Sequence, residues 1–282
     1  MATVPSGVKT FQMLNIEAIA RIAIKARTLP NMSHRVAARR LKVFGVAFCA
    51  WILTLANGLA AAPASDNPMP ASHTVRDVEG WTVRVDDRLL EPAGAAVGTR
   101  ALKFLEAKLF DIKAVVPAAR LKQLQRVTIV LDQGCGGLAS IQYHPSAGWL
   151  TAHGYPAELE KCVHIPRAAD LATRRNINEQ PWVILHELAH AFHDQVLGFD
   201  DSRILDAYRK YRDGGHGDAT LLYDGRRVRH YALTDHKEFF AEMTESYFGV
   251  NDFYPFNRAE LREAEQEIFD LLSRVWEADP TR

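Results

Sequence analysis

The chain has 282 residues, a length that suits one catalytic domain better than two. With 48% hydrophobic and 24% charged residues it has the composition of a globular protein, which excludes a disordered chain. Formal net charge is zero, but residues 1–64 hold eight basic side chains against Glu17 alone, so residues 65–282 carry a net charge of −7 and lack the basic balance of a nucleic-acid partner.

Residues 43–62 form an uncharged, largely apolar run, preceded by Arg39, Arg40 and Lys42 and followed by small residues. Basic start, apolar middle and an Ala62-Pro63-Ala64 cleavage site are the parts of a secretory signal. Residues 1–64 are therefore expected to be an export segment, with cleavage after Ala64 and a true start at Met32, which leaves an ordinary short basic region. The mature protein is then secreted or periplasmic and free of the membrane. If the run is retained, its length suffices for a membrane anchor. Cys49 leaves with the signal, and the remaining pair, Cys135 and Cys162, is expected to form a disulfide in an exported protein. There is no C-x-x-C, so no structural zinc site built on cysteines is expected.

Residues 65–79, rich in Pro, Ala, Ser and Asp, read as a linker. Trp81 to Val85 alternates as a strand, and Leu102, Leu105 and Leu109 repeat at helical spacing within Thr99 to Ile112. A short helix is predicted over Ala118 to Leu124, then strands at Val127–Leu131, near Gly148–Ala152 and at Cys162–Pro166. Trp182 to Leu197 reads as a helix ended near Gly198, and Ser202 to Arg212 as another. Leu221 to Tyr231 reads as a hairpin turning at Asp224-Gly225. Helices over Lys237 to Phe248 and Ala259 to Ala278 follow. Strands early and helices late predict an α+β domain over residues 80–282.

The chemistry lies in two short segments. Residues 186–190 read His-Glu-Leu-Ala-His. His186 and His190 are four apart, one helical turn, so one face presents both to a metal. Glu187 is rotated about 100° from His186, where it reaches a metal-bound water without binding the metal. A third ligand is needed. The metzincin pattern fails, because His193 and Val196 stand where its glycine and third histidine belong. A glutamate on a later helix is the other common choice, and Glu238-Phe-Phe-Ala-Glu242 offers one.

Three features, His186-Glu187-x-x-His190 followed by Ala191-Phe192, the run Glu238 to Glu242, and Tyr231 seven residues before Glu238, resemble the gluzincin zinc metallopeptidases, most closely the anthrax-lethal-factor-like catalytic domains. The match covers residues 182–194 and 230–248; residues 80–180 do not align. The resemblance implies a zincin-like metallopeptidase fold with a small mixed sheet, an active-site helix and C-terminal helices, with Zn²⁺ as cofactor, Glu238 as third ligand and Tyr231 as transition-state stabiliser. Glu242 shares a helical face with Glu238 and is expected to accept a hydrogen bond from the far nitrogen of a ligand histidine, as the thermolysin-like proteins place a carboxylate at that spacing. Glu245 reads as a solvated residue.

Two histidines and a carboxylate leave one tetrahedral zinc position open for water. The expected activity is metalloendopeptidase cleavage of a peptide or protein substrate, with Glu187 as base. Alternatives are a zinc amidohydrolase acting on cell-wall peptides and a binding module that keeps zinc and cleaves nothing. His193 is a candidate fourth ligand or a packed histidine, and His230 an alternative oxyanion donor. His236 should point away from the metal, His216 sits in a glycine-rich loop, and Asp194 either orients His190 or is solvated. The segment Asp252–Phe256 either lines a substrate pocket or packs into the core. The strand at Cys162–Pro166 is expected to be the edge that pairs with extended substrate.

Overall fold

A computed structural model describes residues 67–277; the expected export segment over residues 1–64, with Met32 and Cys49, lies outside the described residues. Helices and a small mixed sheet make an α+β arrangement. The strands are β1 (His73–Val78), β2 (Trp81–Asp86), β3 (Ile129–Leu131), β4 (Gln142–Tyr143) and β5 (Val163–Ile165), with a hairpin of β6 (Thr220–Leu221) and β7 (Arg227–Val228). The helices are α1 (Ala95–Val115), α2 (Ala118–Leu124), α3 (Ala147–Ala152), α4 (Ala168–Leu171), α5 (Val183–Phe192), α6 (Ser202–Asp213), α7 (His236–Phe248), α8 (Arg258–Ala264) and α9 (Gln266–Glu277). No helix among the described residues is long and apolar enough to cross a membrane.

The main sheet runs β1-β2-β3-β5-β4. β1 pairs antiparallel with β2, the central pairs β2–β3 and β3–β5 are parallel, and β4 is antiparallel to β5. Alternation assigns the two faces. Val83, Val85, Ile129, Leu131, Val163 and Ile165 enter the main core with α1, α5 and α7. Val130 faces the other way, into a smaller cluster with Cys135, Leu138, Leu150, Leu159 and Cys162.

Four expectations about elements are corrected. The segment read as a linker contains β1, hidden because most of its residues are exposed and no hydrophobic pattern marks it. Gly148–Ala152 is helical, since the Ser146 side chain accepts the Trp149 backbone N–H and caps a helix start. The last helix is broken at Glu265 into α8 and α9. Finally, β5 is not an edge strand, because β4 pairs along its outer side.

α5 is apolar on nearly every side, with Ile184, Leu185, Leu188, Ala189, Ala191 and Phe192 buried, so burial rather than exposed-face propensity holds it. It continues as a π-helical turn, His193–Leu197, and stops at Gly198, whose φ of +86° suits a residue without Cβ. α7 begins where Asp235 accepts the backbone N–H groups of Lys237 and Glu238, at 2.8 and 3.0 Å. It ends at Gly249, where a Cβ would meet the Trp182 ring at 2.1 Å. That close approach seats the end of α7 against the start of α5.

Candidate metal centre and catalytic site

The packing of α5 on α7 brings His186, His190 and Glu238 together. His186 Nε2 lies 3.1 Å from His190 Nε2 and 3.1 Å from Glu238 Oε2, and His190 Nε2 lies 3.4 Å from the same oxygen. Zinc bonds of about 2.0–2.1 Å at tetrahedral angles separate neighbouring ligand atoms by roughly 3.3 Å. The three spacings therefore fit one face of a zinc tetrahedron. His186 Nδ1 donates to Glu245 Oε1 at 2.7 Å, which holds the ring with Nε2 turned towards the other two donor atoms.

Electrostatics point the same way. Burial lowers the His186 pKa, but hydrogen bonds to Glu238 and Glu245 outweigh it and raise the pKa well above the usual histidine value. Burial raises that of Glu238, yet the two histidines beside it pull it far below the carboxylate range. Such a cluster attracts a cation; a proton or a metal ion can fill that role.

Glu187 is buried one residue along α5. Desolvation raises its pKa, partly offset by His186 and His190, and its Oε2 accepts the Tyr143 backbone N–H of β4 at 2.8 Å. Tyr231 opens a single 3₁₀ turn, Tyr231–Leu233, directly after the hairpin. Burial and then the Glu238 charge push its phenol up to about 12, so the hydroxyl keeps its proton at neutral pH.

The partner of His186 differs from the expectation. Glu242 Oε1 lies 3.6 Å from His186 Nδ1, outside hydrogen-bond range, and its other oxygen accepts from Asn251 Nδ2 at 3.1 Å. Glu245 takes the role assigned to Glu242 and is buried, not solvated. The signal was in the sequence: positions 238, 242 and 245 are i, i+4 and i+7, one face of a helix. Burial, followed by repulsion from Glu245 and Asp252, raises the Glu242 pKa well above the carboxylate range.

The remaining candidates settle into structural roles. His193 is wholly buried against Phe199, His236 and Phe240, and neither ring nitrogen has a hydrogen-bond partner. His230 caps the 3₁₀ turn through Nδ1, which accepts the Ala232 N–H at 3.1 Å, and stacks on Phe253. His236 points away from the triad, bonded to the Phe199 carbonyl at 2.8 Å, and the exposed His216 pairs with Glu265 at 2.7 Å. Asp194 serves neither reading proposed for it. It accepts from the Tyr143 hydroxyl at 2.6 Å and pairs with Lys161, tying β4 to the end of α5. The Asp252–Phe256 segment packs between α7 and the hairpin, with Thr220 Oγ1 donating to the Tyr254 carbonyl at 2.7 Å.

The expected disulfide is absent. Cys135 and Cys162 are both free and buried. Cys135 Sγ faces Met69 Sδ at 3.8 Å, whereas Cys162 Sγ faces the carbonyls of Glu158 and Glu160, each at 3.5 Å. Each thiol is engaged by its own neighbours.

No family model, curated protein or solved structure matches the chain. The functional reading accordingly rests on the residues and their geometry.

Proposed function

We propose that the protein is a zinc-dependent metallopeptidase of gluzincin type, with His186, His190 and Glu238 as ligands. The observation that carries this reading is the convergence of three donor atoms at 3.1–3.4 Å beside a buried glutamate. A buried Glu187 next to the triad favours catalysis over a purely structural metal, which needs no such carboxylate.

Zinc held there would supply Lewis acidity and bring the pKa of water down to roughly 7. Glu187 takes the proton of the attacking water and delivers it to the leaving amine. A carboxylate whose pKa burial has raised is suited to both halves of that transfer. The Tyr143 N–H holds Oε2 in place, leaving Oε1 to carry the proton. Tyr231 donates its hydroxyl hydrogen to the developing oxyanion. β4 is the edge of the sheet and reaches Glu187 through its backbone, so an extended peptide pairing with β4 would lie beside the base.

Incubating the purified protein with a peptide library, with and without chelator, tests the proposal. Cleavage that a chelator abolishes and zinc restores is expected. Chelator-insensitive cleavage, or none by zinc-replete protein, would overturn it.

A further inference from the structure

The face of the sheet turned away from the main core carries a second cluster of donor atoms. Asp132, at the end of β3, Cys135, in the following turn, and His164, in the middle of β5, each offer one ligand atom within 4.8 Å of the others. All three are fully buried. His164 Nε2 and Asp132 Oδ2 share a 2.9 Å hydrogen bond, so the two ligand atoms need move apart by only a few tenths of an ångström to reach the roughly 3.3 Å spacing of a tetrahedral ion. Sulfur and carboxylate oxygen from the end of β3 and its following turn, with imidazole nitrogen from β5, form a donor set suited to zinc.

We propose that Asp132, Cys135 and His164 hold a second zinc ion, separate from the His186 triad. The surroundings match what supports such ligands. His73 Nε2 donates to Asp132 Oδ1 at 2.7 Å, orienting the carboxylate from the oxygen that His164 does not face. His144 Nε2 stands 3.1 Å from His164 Nδ1. Ligand histidines commonly donate their second ring N–H to a neighbouring acceptor, and His144 Nε2 occupies that position. Met69 Sδ, 3.8 Å from Cys135 Sγ, closes the sulfur side. A dication here offsets the buried Asp132 charge and a Cys135 thiolate together; binding releases the thiol proton. Because Met69 and His73 precede and open β1, the ion would fasten the start of the described chain to the centre of the sheet. A C-x-x-C search misses such a site, since it uses one cysteine and ligands 32 positions apart, from Asp132 to His164.

Cobalt substitution of the full protein tests the proposal. The His186 triad contains no sulfur, so thiolate-to-cobalt charge-transfer absorption in the near ultraviolet reports only a cysteine-bound ion. The wild type should show this band, Glu238→Ala and Cys162→Ser should keep it, and Cys135→Ser should lose it along with one metal equivalent. If Cys135→Ser does not fold, the wild-type spectrum still decides. A wild type without the band, or a band that disappears in Cys162→Ser instead, would overturn the proposal.

Discussion

Replacing Glu245 by alanine should weaken zinc binding far more than replacing Glu242. Glu245 Oε1 accepts the His186 Nδ1–H at 2.7 Å, in a site where the histidine side chain is 11% exposed. Removing a charged acceptor leaves a buried N–H without a partner and frees the ring to turn. A hydrogen bond to a charged group is worth about 1.5–3 kcal/mol, which corresponds to a loss of roughly 10- to 150-fold in zinc affinity. Glu242 sits 3.6 Å from the same nitrogen, and burial together with the Glu245 and Asp252 charges drives it towards its neutral form. Its loss should change zinc affinity less than about threefold, with the larger cost in stability, since Asn251 loses a buried partner. Competition titration against a chromophoric chelator measures both affinities, and circular dichroism checks the fold. A weaker affinity in Glu242→Ala than in Glu245→Ala would refute the assignment and restore the spacing-based expectation.

Three further outcomes follow from buried groups. His193→Phe should keep its metal and gain stability of about 1–3 kcal/mol in chemical denaturation, because both ring nitrogens are buried without partners; a loss of zinc would make it a ligand. Burial lowers the pKa of His144 to about 4 and those of His193 and His230 to about 3, from 6.5. Below pH 6.5 the unfolded chain takes up these protons first, so stability should fall with pH by ~1.4 kcal/mol per pH unit for each histidine, and be insensitive to them above that pH. His193→Phe should remove one such share from the slope between about pH 6 and 4; an unchanged slope would contradict the buried-neutral assignment. Mass spectrometry after denaturing alkylation without reductant should find Cys135 and Cys162 both modified, and a mass two hydrogens lower with neither modified would restore the disulfide.

The part of the site legible in the sequence is the part written at helical spacing. His186 and His190 share a face of α5, and Glu238 opens α7 after an Asp235 cap, so short-range pattern sufficed to nominate them. Glu245 was missed because charge alone was taken as exposure, although its spacing from Glu238 put it on the same face. The Tyr143 contact to Glu187 was out of reach, since β4 is two residues long and exists only through pairing with β5. Long-range pairing also explains β1, whose exposed residues carry no alternation. The cysteines misled for another reason: an even count constrains stoichiometry but says nothing about where each thiol packs.

Glu187→Gln, assayed for zinc content and peptide cleavage on the same preparation, separates metal binding from catalysis and tests the peptidase proposal most directly. The geometry predicts wild-type zinc content, because Glu187 is not among the three converging donors, and no cleavage, because an amide cannot take the proton. Wild-type cleavage by Glu187→Gln, or zinc lost along with activity, would contradict the proposal.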